Sequence, residues 1–126
     1  MAETTRVRRA AVTHQLDVGR YAWAAICAGV YYVSVREKRN YSLADSLDYM
    51  FDRIISGEIP VDDQLICEFL DEVETSKGVA INLAIAKSTN QMLGAIRDRM
   101  QTVSDRRITT PQVVHFALAL APRPLW

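Results

Sequence analysis

The side chains that most often carry catalysis are few in this sequence, and their spacing does not suit it. His14 and His115 stand alone, each inside an apolar pattern, so no nucleophile, base and orienting group can be assembled around either. Cys27 and Cys67 lie forty residues apart with no CxxC pairing, which fits neither a disulfide framework nor a zinc site. Both are expected in the core of a chain kept in a reducing compartment. The carboxylates between Glu58 and Glu74 lack the DxDxDG spacing of a calcium loop, and Gly19, Gly29, Gly57, Gly78 and Gly94 are too scattered for a phosphate loop. The expectation is a protein that is not an enzyme and holds no metal or cofactor. What remains is recognition chemistry: the amides Gln15 and Asn82, the hydroxyl of Thr13, and arginines at Arg6, Arg8 and Arg9, at Arg39, and at Arg106 and Arg107. An amide offers a donor and an acceptor side by side, and a guanidinium pairs with anions.

Those residues need elements to hold them. A chain of 126 residues, 49% hydrophobic and 24% charged with five Gly and four Pro, is expected to fold as one domain over residues 1–126. Its formal charge is zero, but the charge is unevenly placed. Seven of the fifteen acidic residues lie between Glu58 and Glu74 with no Lys or Arg among them, which leaves the rest of the chain at +7. A segment so different from its surroundings is expected to face away from the partner that the basic part meets. Within it, Leu65, Ile66, Phe69, Leu70 and Val73 fall at helical spacing after Asp62 or Asp63, with Lys77 and Gly78 to end the run. Residues 57–78 thus read as an acidic helical connector.

The flanks of this connector read alike. Over residues 9–56, the alternating stretch AVTHQLDV (11–18) leads into a helical pattern from Arg20 to Lys38 and a second helix opening at Ser42. Over residues 79–121, VAINLAIA (79–86) leads into a helix from Ser88 to about Ser104 and a second opening at Thr109 or Thr110. The offset is 67 residues, pairing Val12 with Val79, Leu16 with Leu83 and Ser42 with Thr109. Capping chemistry supports these starts, with Ser42 before Asp45, Ser88 before Gln91, and Thr110 placing Pro111 at the first helical position.

One strand in a helical half leaves its backbone N–H and C=O groups unpaired, so the two strands are expected to pair with each other. An antiparallel ribbon then carries Val12, His14, Leu16 and Val18 against Val79, Ile81, Leu83 and Ile85 on a face the helices can cover. The other face is small and polar, with Ala11, Thr13, Gln15 and Asp17 against Ala80, Asn82, Ala84 and Ala86, flanked by Arg9. A ribbon of this kind fits the major groove of B-DNA, where Gln and Asn make paired hydrogen bonds to adenine.

Strand, helix, helix, with a Ser or Thr cap on the second helix, resembles the ribbon-helix-helix DNA-binding family. The family normally draws its two units from two chains; here both lie in one, from about Arg9 to Ala121. The fold class this implies is mostly α with a two-stranded antiparallel ribbon, a tandem ribbon-helix-helix pseudo-dimer within one chain. The resemblance implies that Thr13, Gln15 and Asn82 read bases. It also implies that the second-helix N-termini, Ser42 with Leu43 and Thr109 with Thr110, anchor phosphates, aided by Arg39, Arg106 and Arg107. Helix N-termini favour anions on physical grounds alone, and Arg6, Arg8 and Arg9 form a basic arm for further phosphates. Ala80, Ala84, Ala86 and Asp17 depart from the longer basic or amide side chains usual in the family, so direct base readout is expected to be sparse.

The function implied is double-stranded DNA binding, as an accessory factor in plasmid or T-DNA processing and transfer, with other DNA-processing proteins as further partners, or as a repressor. An internal pseudo-dimer is expected to be monomeric. The competing reading is a helical protein-interaction module that binds through Trp23, Tyr31, Tyr32 and the terminal PRPLW. Residues 21–35 are apolar but too short for a membrane span, and the start MAETTRVRRAAVTHQLD is too polar for a secretory signal, so a cytoplasmic location without membrane contact is expected.

Overall fold

A computed structural model describes residues 11–72 and 78–123. Strand β1 (Ala11–Val18) is followed by helices α1 (Arg20–Glu37), α2 (Leu43–Ile55) and α3 (Asp63–Glu72); strand β2 (Val79–Ala86) is followed by helices α4 (Lys87–Gln101) and α5 (Thr110–Ala119). The architecture is mostly helical with a two-stranded antiparallel sheet, as the alternation of the two strand sequences requires.

Ala11 pairs with Ala86, Thr13 with Ala84, Gln15 with Asn82 and Asp17 with Ala80. Leu16, Val18, Leu83 and Ile85 are buried, while Thr13, Gln15, Asp17, Ala80, Asn82 and Ala84 are exposed. A slip of one residue would turn the apolar set outward, so hydrophobic patterning holds this register. Each strand passes straight into a helix through one extended residue, Gly19 before α1 and Ala86 before α4. That direct passage corrects the expected start of α4. Ser88 is already helical and cannot act as its cap, so the SxxQ pattern forms no capping box there.

The other helix starts follow local chemistry. Ser42 Oγ accepts the Asp45 N–H at 3.0 Å, and Asp62 Oδ1 accepts the Leu65 N–H at 2.8 Å, each filling an orphan donor of a first turn. Thr109 precedes α5, and Gln112 Oε1 reaches back to accept the Thr109 N–H at 2.8 Å. Pro111 is therefore the second helical residue, not the first.

Helix pairing crosses between the two strand–helix–helix segments. α1 packs chiefly on α5, and α2 on α4 and α5; among the strands, α2 meets β2 and α5 meets β1. Phe51, Leu47 and Met50 of α2 share one core with Leu93 and Met100 of α4 and with Phe116 and Leu118 of α5. Thr89, 3% exposed on α4, donates to Asp48 Oδ1 of α2 at 2.9 Å. α3 joins through buried Ile66, through the Phe69 ring 4.9 Å from His115 and 5.2 Å from Phe116, and through the Asp63–Arg99 ion pair at 2.7 Å.

Cys27 and Cys67 are both exposed, against the expectation that they lie in the core. α1 is apolar on all sides, so its composition does not reveal which side turns inward. No helix among the described residues is long and apolar enough to cross a membrane.

Candidate nucleic-acid interface

The outer face of the ribbon brings Gln15 and Asn82 together as directly opposed partners. Cβ atoms in such cross-strand positions stand about 4.5–5.5 Å apart, so the two amides form one hydrogen-bonding patch at the ribbon centre. Thr13 lies one step along the same face and Asp17 one step the other way. Apart from these four, the described residues of this face are alanines, so a flat partner can approach the backbone closely. Among the described residues, the face itself carries no cation. Two that spacing alone did not single out, Arg20 and Lys87, are exposed as the first residues of α1 and α4, at opposite ends of the ribbon. The available sign was their place directly after each strand.

His14 lies on the inner side and is half-buried. Its Nε2–H donates to Asn90 Oδ1 of α4 at 2.7 Å, so it ties the ribbon to a helix rather than facing solvent chemistry. Among the described residues, no group of three or more His, Cys, Asp or Glu side chains is placed to hold a metal ion.

The N-termini of α2 and α5 differ. At α2, Leu43 is half-buried and Asp45 is an exposed acid in the first turn, where it already complements the positive end of the helix dipole. Arg39 stands just before this helix. α1 ends in a left-handed turn at Lys38 (φ 57°), and the Arg39 N–H donates to Ser34 O at 3.1 Å. The Arg39 guanidinium donates to Tyr41 Oη at 3.0 Å and lies 4.3 Å from the centre of that ring. The hydrogen bond to Tyr41 raises its pKa above the ordinary arginine value.

At α5 there is no acid in the first turn. Arg106 and Arg107 are exposed in the preceding loop, and Gln101 holds that loop from the end of α4. Its Nε2 donates to Ser104 O at 3.1 Å and to Arg106 O at 2.7 Å, while its Oε1 accepts the Ile108 N–H at 2.9 Å. Thr109 is exposed at the cap, and Thr110 Oγ1 accepts a hydrogen bond from the Arg97 guanidinium, whose Nε is buried without a partner. Thr109 and Thr110 thus sit among Arg97, Arg106 and Arg107, whereas Ser42 and Leu43 sit between Arg39 and Asp45. Arg97, thirteen residues before Thr110, is a second contributor that sequence spacing did not reveal. Arg6, Arg8 and Arg9 lie outside the described residues.

The geometry offers opposed amides on a small, exposed face, guanidinium groups held by hydrogen bonds at Arg39 and Arg97, and a helix N-terminus with no acid in its first turn. No protein-family model, no curated protein and no solved structure matches this chain.

Proposed function

We propose that this protein binds double-stranded DNA as a single-chain ribbon-helix-helix pseudo-dimer, laying its two-stranded ribbon in the major groove. The observation that carries the reading is the Gln15–Asn82 pair. Gln15 and Asn82 stand 67 residues apart in sequence, the same offset that separates the starts of α1 and α4 and those of α2 and α5. Two units related by a two-fold axis require one residue to face its own counterpart, and Gln15 faces Asn82. The reciprocal packing of α1 on α5 and of α2 on α4 supports the same relation.

On this reading Gln15 and Asn82 supply amide contacts to base edges, with Thr13 beside them, and the alanines let the backbone sit deep in a groove about 12 Å wide. Arg106, Arg107, Thr109 and Thr110 hold phosphates at one end; Arg39, Ser42 and Leu43 hold them more weakly at the other, because Asp45 repels an anion there. Arg6, Arg8 and Arg9 add phosphate contacts. Because one chain supplies two unequal units, it suits a non-palindromic site, as an accessory factor in plasmid or T-DNA processing and transfer, or as a repressor.

Site selection from random duplexes, followed by affinity measurement of Gln15→Ala and Asn82→Ala on the selected site, tests this reading. Each lost paired contact is expected to reduce discrimination by about 1–3 kcal/mol with little change in nonspecific affinity. Undiminished discrimination in both variants would reject base reading by these amides.

A further inference from the structure

From Tyr21 to Val35, α1 carries fifteen consecutive residues without a charge. Its inner side is consumed by the core through Ile26, Gly29 and Val33. Its outer side is also apolar: Tyr21 is 77% exposed, Tyr31 65%, Val35 55% and Tyr32 47%, with Ala24 and Ala28 exposed between them. At 3.6 residues per turn these six positions fall within an arc of about 100° and form one stripe roughly 21 Å long. We infer that this stripe is a self-association surface on which the α1 helix of a second copy of the chain packs antiparallel.

The chemistry of the stripe selects the partner. A polyanion such as DNA finds no cation between Tyr21 and Val35, and a helix lying on a lipid surface draws on Lys or Arg along its polar side, which this stripe lacks. A second copy meets neutral surface with neutral surface and brings no like-charge repulsion. Shape agrees with this choice. When two copies run antiparallel with Ala24 of one against Ala28 of the other, the small residues let the helix axes approach to about 8 Å. Across the two-fold axis of that alignment, side chains on the same edge of the stripe meet, so Tyr21 of each copy lies beside Tyr32 of the other and Arg20 beside Tyr31, an aromatic pair and a cation–π pair at each end of the contact.

The area fixes the strength. Three tyrosines of about 200 Å² each at these exposures, with Val35 and the alanines, amount to roughly 500 Å² per copy, which lies at the upper end for a patch left on a monomer. Two copies bury about 1,000 Å², the lower bound of specific interfaces, so the association is weak and depends on concentration. One chain already completes the ribbon, so folding does not require this contact. Taken together with the DNA reading, it lets copies on neighbouring sites bind cooperatively.

Sedimentation velocity of the full chain without DNA, under reducing conditions and at roughly 10 to 500 µM, is the test. The weight-average mass is expected to rise from 14.2 kDa toward twice that value. Tyr31→Glu and Ala28→Glu, both at exposed positions, are expected to hold it at the monomer mass with an unchanged far-UV spectrum, while Tyr31→Phe retains the rise. A constant 14.2 kDa for the unsubstituted chain, or association of equal strength in both glutamate variants, would overturn the inference. A chain that stays monomeric yet pellets with phosphatidylcholine vesicles in a Tyr31-dependent manner would also overturn it, assigning the stripe to lipid. Because DNA is absent, failure here is separate from failure of the DNA-binding reading.

Discussion

Gly29 and Gly94 both lie inside helices, yet replacing each by alanine should move stability in opposite directions. A Cβ built on Gly29 of α1 meets Leu118 of α5, at 2.5 Å from its carbonyl oxygen, 2.8 Å from its Cβ and 3.0 Å from its carbonyl carbon. Carbon atoms in good contact stand about 3.5–4.0 Å apart. Two of the crowded atoms belong to backbone, so no rotamer change relieves the clash and the helices must separate on the order of 1 Å, loosening Ile26 and Val33 as well. Overpacking of this kind costs about 1–3 kcal/mol, against which alanine recovers about 0.5–1 kcal/mol of helix propensity. The net expectation for Gly29→Ala is a loss of about 1–2 kcal/mol. At Gly94 of α4 a Cβ meets nothing within 4 Å, so Gly94→Ala is expected to gain about 0.5–1 kcal/mol. Urea denaturation followed by far-UV circular dichroism reads both as midpoint shifts at unchanged slope. α1 and α5 lie on opposite sides of the connector, so the pair of variants tests the crossed packing that fixes the ribbon. A Gly29→Ala protein as stable as the unsubstituted chain would refute that close approach.

Three further expectations concern single side chains. Thr89→Val removes the hydroxyl that donates to Asp48 and should lower stability by about 1 kcal/mol in urea denaturation; an unchanged midpoint would show that the bond contributes nothing. His115 is half-buried against Phe69, and burial lowers its pKa below the usual histidine value, so the unfolded chain binds a proton that the fold resists. Its contribution is intact above the unfolded pKa of about 6.5 and is lost as the pH falls below it toward the lowered folded value. His115→Phe should therefore lose less stability than the unsubstituted chain between about pH 7.5 and pH 5, and an equal loss would contradict this. Finally, Arg106→Ala and Arg107→Ala should each weaken binding to all duplexes alike and reduce the salt slope by about one, with a smaller effect for Arg39→Ala beside Asp45; a loss confined to one sequence would contradict phosphate contact.

The ribbon was legible because alternation is a strong constraint. With Val12, Leu16, Val18, Ile81, Leu83 and Ile85 on one period-two face, only one set of side chains could point outward, and the pairing follows from it. The helix start at Ser42 was legible for a similar reason, since hydroxyl caps act locally; before α5 two adjacent threonines offered the same chemistry, and Thr109 is the cap rather than the Thr110 that would put Pro111 first. α4 was not legible, because the start of a helix that continues a strand is set by the path of the backbone at Ala86 rather than by the nearest serine. Nor was the outer side of α1, where Tyr31 and Ile26 are equally apolar and only the position of α5 decides which is buried, leaving Cys27 in solvent. The crossing of α1 onto α5 is a matter of how the connector returns the chain, which no local pattern records. At the candidate interface, Gln15 and Asn82 were visible from the pattern, as was Asp45 three residues after the Ser42 cap, whereas Arg97 depends on the distance folded between α4 and Thr110.

The most direct test of the account is fluorescence-anisotropy titration of labelled random double-stranded DNA with the full chain across a salt series. Binding that weakens steeply, with a slope consistent with about six or more phosphate contacts, is the result expected of a ribbon seated in the groove and held by arginines and helix N-termini. No binding even at low salt would contradict the DNA reading and leave the helical faces as the working surfaces of the protein.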